Sequence, residues 1–384
     1  MIEPLLWSLA VLAFLLLLAE IFLRCWYRLT GATYVWPPHG RIRLEIDRAT
    51  LPNLDPVARI EFNRDGERGP EPPRSWEHNG RVLVVGGSAA ECYMLDQERT
   101  WPAVLQRELN RPQALAQRNL DHFHVGSISR SLVPCEALLR MLQAVHFRYP
   151  RLDWIVLMVG ASDVVRWLQQ GTPSDVQSAT VSRQDIFALH ATGPFGWRPR
   201  QLALRRALAA ANERLRRPVL VKQNAGQTIT SLRAMRADAD ELLTSTPDPS
   251  PMVESFATDF TSLLELAQQA AKRVLVVRQP WFAGPPGGHT PEQRAAFWNF
   301  GRGNPYLEQV DTYYDHDLVN TLFELADATQ ARIAAERGVQ CISLQDQLPP
   351  DLSTWYDYNH LAPQGAERVG QLVAQAMMDR EDGR

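Results

Sequence analysis

The sequence predicts an α/β fold built on one parallel sheet with helices on both faces. Five short apolar runs, at 81–85, 122–125, 154–159, 274–278 and 340–343, read as strands buried on two sides rather than one. Helical patterns separate them, at 100–110, 133–146, 253–272 and about 319–337. Ser88, Gly126 and Gly160 each fall just after one of the first three strands, where open α/β sheets collect their chemistry.

The elements follow in order. Thr100 is placed to cap the first of those helices, with Pro102 in its opening turn. Val253, Phe256, Phe260, Leu263, Leu264 and Ala267 recur at the spacing of a helix packed along one face. Gly338 closes the helix before the fifth strand, and a last helix begins at Pro363. Residues 168–250 or so interrupt the alternation as a helical insertion far longer than an ordinary connection. Within it, 198–217 reads as a basic helix with Arg198, Arg200, Arg205, Arg206, Arg214, Arg216 and Arg217 against a single Glu213. A solvated face is the first expectation for it, and contact with anionic lipid headgroups or an acidic glycan the second.

Ahead of the sheet lie two other regions. Residues 5–23 are apolar except for Ser8 and Glu20, enough to cross a hydrocarbon core of ~30 Å as a helix. Trp7 lies near one end of the run and Trp26-Tyr27 at the other, where interfacial rings are expected. No basic residue precedes it and no A-x-A site follows, which favours a retained anchor over a signal peptide. Residues 1–29 are therefore expected to be a single-pass membrane anchor. Arg24 and Arg28 lean towards a cytoplasmic main domain, although the upstream tail is too short for a fair comparison. Glu20 is expected near the headgroups, with a partner helix as the alternative. Residues 30–77 read as a polar, proline-bearing connector with short strands at 41–46 and 58–62, a turn at Asn63-Arg-Asp-Gly66 and a stiff tether at Glu71-Pro-Pro73. The remainder, 78–384, forms the main domain.

Composition narrows the function. The 384 residues are 45% hydrophobic and 22% charged, with a net charge of -3 that gives no global attraction to nucleic acid. Cys25, Cys92, Cys135 and Cys341 form no C-x-x-C pair, which argues against a disulfide framework or a zinc site.

The chemistry gathers at a few stretches. Gly86-Gly87-Ser88 breaks the first strand and starts a helical pattern, the place for a serine held clear of a sheet with helix amides beside it. Asp357-Tyr-Asn-His360 stands just before the last helix. An aspartate three residues ahead of a histidine can bend back to Nδ1 and leave Nε2 to take a proton from Ser88. Oxyanion donors would come from the Ser88 amide, from Gly126 after the second strand, and from Gly160-Ala161-Ser162-Asp163 after the third.

Together these stretches resemble the SGNH/GDSL hydrolase superfamily over about residues 81–377. Ser88 stands at the nucleophile block and Gly126 at the glycine block. Gly160-Ala161-Ser162-Asp163 stands at the Gly-x-Asn-Asp block, and Asp357 with His360 at the last. Asn63-Arg-Asp-Gly-Glu-Arg-Gly69 looks like the lead-in of membrane-anchored bacterial members. The resemblance implies a flavodoxin-like three-layer α/β/α fold, no metal or organic cofactor, and hydrolysis of esters on a glycan, lipid or small molecule. An O-acyltransferase acting on an exported polysaccharide, or a silent scaffold binding a glycan or a membrane partner, are the alternatives. Two departures stand out: Gly87 where the family has aspartate, and Ser162 where it has asparagine. The shorter Ser162 side chain weakens the third donor.

Other residues fit less well. Asp311, Asp315, His316 and Asp317 look like ligands but suit a solvated loop better. Cys92 suits the core, and Trp281-Phe282 line either a pocket or the core.

Overall fold

The structure is a computed structural model that describes residues 2–29, 33–149, 152–176, 181, 186–188, 195–215, 220–284 and 288–379. The chain begins with α1 (Ile2–Leu29), then β1 (Arg41–Glu45), β2 (Val57–Glu61) and β3 (Asn79–Gly86). After it come α2 (Ser88–Glu91), α3 (Trp101–Leu109), α4 (Pro112–Arg118), β4 (His122–Ser127), α5 (Cys135–Val145), β5 (Leu152–Met158) and α6 (Ala161–Gln169). The insertion holds α7 (Ala203–Leu215), β6 (Leu220–Asn224), α8 (Gly226–Ala237) and β7 (Glu241–Leu243). The chain closes with α9 (Ser250–Ala270), β8 (Ala271–Val277), α10 (Pro291–Ala296), β9 (Thr312–Tyr314), α11 (His316–Glu336), β10 (Gln340–Ile342) and α12 (Pro363–Asp379).

Five strands form the central sheet in the order β10-β8-β5-β3-β4, all parallel. Numbered along the sheet's own strands this is 2-1-3-4-5, the flavodoxin-like order. The core of β3 and β5 is sealed: Leu83, Val84, Ile155 and Val156 expose no surface. α3 and α12 cover one face, while α5, α9 and α11 cover the other, giving three layers. The Thr100 hydroxyl accepts from the Ala103 amide and starts α3, as its position implied.

Boundaries move where pairing overrides pattern. The apolar run at 253–272 carries no stop signal, yet the helix gives way at Ala271, which pairs with Leu152 and starts β8.

The connector and the insertion meet in a second sheet. β1 pairs antiparallel with β2 and parallel with β6, so residues 41–61 and 220–224 form one three-stranded layer. A third, two-stranded sheet joins β7 to β9. The expectation of a solvated loop around Tyr313-Tyr314 is corrected here. Both rings are buried in β9, Asp315 caps α11, and His316 stacks on Tyr358 at 5.3 Å between centroids.

The first helix is long and apolar enough to cross a membrane by length and composition. Glu20 meets a partner helix, as the alternative reading of it foresaw. Its carboxylate accepts from the Ala203 and Leu204 amides at 2.9 and 2.8 Å, in the first turn of α7. The basic stretch is a short turn at Pro199–Gln201 followed by α7, and Arg216 and Arg217 lie outside the described residues.

Candidate active site

β3 delivers the serine. It ends at Gly86, Gly87 caps α2, and Ser88 is the first residue of that single turn. The amides of such a first turn have no partner inside the helix and face outward. A Cβ on Gly87 would sit 2.8 Å from Ser162 Oγ, so a larger residue there would have to turn that hydroxyl away. The two departures from the family pattern are thus in contact. At its other end α2 stops at Cys92, in the left-handed region at φ 53°.

Two buried charges hold this turn. The Arg68 guanidinium donates to the carbonyls of Glu91, Cys92 and Leu95, the last two at 2.9 and 2.7 Å. Those are the orphan carbonyls at the end of α2 and the bend after it. Glu91 accepts from the amide and hydroxyl of Ser131, tying the loop after β4 to the serine turn. Burial pushes the Glu91 carboxyl above its ordinary value.

The histidine arrives from the loop before α12. His360 Nε2 lies 2.7 Å from Ser88 Oγ, and His360 Nδ1 lies 2.6 Å from Asp357 Oδ2. Asp357 is fully buried and accepts four hydrogen bonds. Oδ1 takes the amides of Asn359 and His360 at 2.9 and 2.7 Å, and Oδ2 takes the imidazole and Asn299 Nδ2, the latter at 3.1 Å. With both oxygens engaged, the carboxylate has one orientation, and so does the ring. Tyr356 stacks on His360, with centroids 5.6 Å apart and planes 7° from parallel. Asn299 is held in turn by α8, because Arg236 donates to its carbonyl at 2.6 Å.

Gly126 requires a correction. It lies within β4, opposite Leu83 in the ladder, and does not line the cleft. A Cβ there would run into the Glu67 carboxylate, which fills the space beside it. Glu67 is buried and accepts from Asn63, Arg81 and His124 at 2.8, 3.0 and 3.1 Å. Burial opposes its ionisation, but the His124 hydrogen bond and the Arg81 charge hold its carboxyl down at about 2. The loop after β4 reaches the cleft at Ser131 and Leu132 instead.

The third block divides its duties. Gly160 caps α6 at φ 116°, a conformation that favours glycine. Ser162 lines the cleft beside Ser88. Asp163 braces the fold: Oδ1 accepts from the Cys135 amide at 2.9 Å, and Oδ2 is sealed from solvent with no partner among the described residues. Burial pushes its carboxyl up to about 7.

Ser88 and His360 open onto a cleft of about 350 Å³. Its walls come from distant segments: Leu44 of β1, Ile229 of α8, and Phe300 and Tyr306 from the stretch between β8 and β9. Apolar and aromatic side chains make up the larger part of the lining, with Gln169, Asn224, Thr228, Asn299 and Asn359 among the polar groups beside the serines and His360. A cavity of this make-up suits an uncharged group and excludes much of the water that would screen developing charge.

Several side candidates resolve as packing. Cys92 is buried, and desolvation pushes its thiol up to about 11, the reverse of an activated nucleophile. Trp281 and Phe282 are core residues outside the cleft, with Trp281 Nε1 donating to Asn320. Sequence reasoning missed Asn299, Arg68 and Glu91. The first lies in a stretch without periodic pattern. The second sits in the Asn63–Gly69 motif, whose adjacent charges and glycines were the available signal.

No known family's sequence profile matches this chain, and no curated protein matches it. Among solved structures, the lipase/acylhydrolase from Enterococcus faecalis is similar at 12% identity and a TM-score of 0.39, covering 78% of this chain and 96% of its own. The psychrotrophic esterase EstA from Pseudoalteromonas sp. gives 12%, 0.38, 79% and 100% for the same four measures. A catalytic mutant of the acetylxylan esterase Axe2 from Geobacillus stearothermophilus gives 11%, 0.39, 79% and 94%. Likeness at this level decides nothing about chemistry, which the geometry of Ser88, His360 and Asp357 must carry. With its sheet order, a serine directly after the first sheet strand and Asp-x-x-His ahead of the last helix, the fold is SGNH hydrolase-like.

Proposed function

We propose that this chain is a serine hydrolase of ester bonds, held at a membrane by α1 and acting on an acylated glycan, lipid or small ester. One observation carries the reading: Ser88 Oγ, His360 and Asp357 form a continuous hydrogen-bonded relay at 2.7 and 2.6 Å, at the edge of an apolar cleft. Ser88 Oγ attacks the ester carbonyl while His360 Nε2 takes its proton. His360 then returns that proton to the departing alcohol, and water repeats the cycle on the acyl-enzyme. Asp357 holds the ring and stabilises the imidazolium. In this reading the Ser88 amide and the Ser162 hydroxyl serve as oxyanion donors, since both residues line the cleft. A single donor of this kind is worth ~10²–10³ in turnover, so a hydroxyl in place of a longer amide gives a slow enzyme.

The test is covalent labelling with a fluorophosphonate probe. Wild type and Cys92→Ala label, and Ser88→Ala does not. Failure of the folded wild type to label overturns the reading. A screen of short- and long-chain aryl esters then sizes the acyl pocket.

A further inference from the structure

The contact between the first helix and the insertion has no role in the chemistry above, yet it is built from buried polar groups. Glu20 is 4% exposed and accepts the Ala203 and Leu204 amides and Arg24 Nε, the last at 2.7 Å. Arg24 also donates to the carbonyls of Phe195 and Gly196, at 2.8 and 2.7 Å, and lies over the Trp197 ring at 4.4 Å. One turn further on, Tyr27 stacks on Phe195 at 5.6 Å. The insertion is therefore fixed to one level of α1, around residues 20–27.

That level can be located. From Leu5 to Leu23 the helix runs about 27 Å at 1.5 Å per residue, close to the ~30 Å of a hydrocarbon core, and Glu20 lies in the last turn of that run. Glu20 then falls where hydrocarbon gives way to headgroups, and so do the amides it caps. A carboxylate at that depth is tolerated only when its lone pairs are met, as these are. Close to this anchor point the insertion presents Trp197 and Leu208, 67% and 63% exposed, together with exposed Arg198, Arg200 and Arg205. An exposed aromatic ring, an aliphatic side chain and three cations within the one short stretch 197–208 is the composition that enters an interface.

We propose that residues 197–208 are a second membrane contact. Trp197 and Leu208 enter the headgroup layer, and Arg198, Arg200 and Arg205 bind the phosphates of anionic lipid. The inference rests on α1 spanning the bilayer. The catalytic body would then be held at two points instead of swinging on one tether.

The experiment uses the full chain, with Cys25→Ser and Cys341→Ser, in nanodiscs of phosphatidylcholine and phosphatidylglycerol. A bimane label is placed at Leu208→Cys, at Val11→Cys within the span, or at Leu307→Cys, an 84% exposed site outside the proposed contact. Brominated lipid is expected to quench the labels at 11 and 208 at least twofold more than the label at 307. Charge reversal of Arg198, Arg200 and Arg205 to Glu should bring the quenching at 208 down by half or more, with 11 unchanged. Quenching at 11 without quenching at 208 overturns the second contact and leaves the anchor standing. No quenching at 11 overturns both. Quenching at 208 that ignores both charge reversal and removal of the anionic lipid overturns the assignment to phosphates.

Discussion

Asp357 has its two oxygens divided among four donors, and one of them, Asn299, comes from a segment that local pattern does not reveal. Asn299→Ala removes the donor that stops the carboxylate turning about its own bond. The expected result is a fall of about tenfold in kcat against an aryl ester with KM little changed, and a stability loss of about 1–2 kcal/mol in urea melts. Asp163 offers a test by pH. Its folded carboxyl, raised to about 7 from 3.8 by burial, holds a proton that the unfolded chain gives up. The stability from this group is therefore fully present below about pH 4 and is lost as pH rises through 7. Asp163→Asn keeps an acceptor for the Cys135 amide and cannot ionise, so its Tm at pH 8 should exceed wild type by about 2–4 °C, with the gap closing towards pH 5. At this scale the sequence was legible where chemistry is local: Ser88 follows a strand directly, and Asp357 precedes His360 by three residues. Gly126 misled because a glycine after an apolar run looks uncovered, and nothing nearby in sequence announces that Glu67 fills the space beside it.

The helix that carries Ser88 is a single turn, too short to persist alone. Arg68 supplies what the turn lacks by bonding three carbonyls at its end, in a fork that only a guanidinium provides. Arg68→Ala leaves those carbonyls buried and unmet, with an expected cost of about 3 kcal/mol or more. Arg68→Lys should recover less than half of it, since one ammonium cannot span the three acceptors. Thermal melts and the rate of fluorophosphonate labelling should fall together. Most sheet strands and their covering helices were legible because their burial is written as periodicity. Pairing shifted the ends, as at Ala271, where alignment with Leu152 starts a strand inside a run that reads as helix.

Across the whole molecule, contacts of long range decide what the sheet alone does not. β1 and β6 run side by side although Arg41 and Leu220, which begin their register, lie far apart in the chain, and the cleft wall they support could not be read from either stretch. The clamp between Glu20 and α7 is of the same kind. Glu20→Ala leaves the Ala203 and Leu204 amides without their acceptor and takes from Arg24 its carboxylate partner. Trypsin should then cut the detergent-solubilised protein at Arg198, Arg200 or Arg205 at least several-fold faster than wild type, while α3 and α12 stay protected. Equal cleavage rates would show that the clamp holds nothing. That clamp also imposes a chronology. Glu20 leaves the ribosome 183 residues before Ala203, an interval of about ten to forty seconds at ordinary translation speeds. Throughout that time the carboxylate has only Arg24, one helical turn away, for company. The nascent chain can settle its leading helix early, but the final seating of that helix waits until the middle of the message has been read.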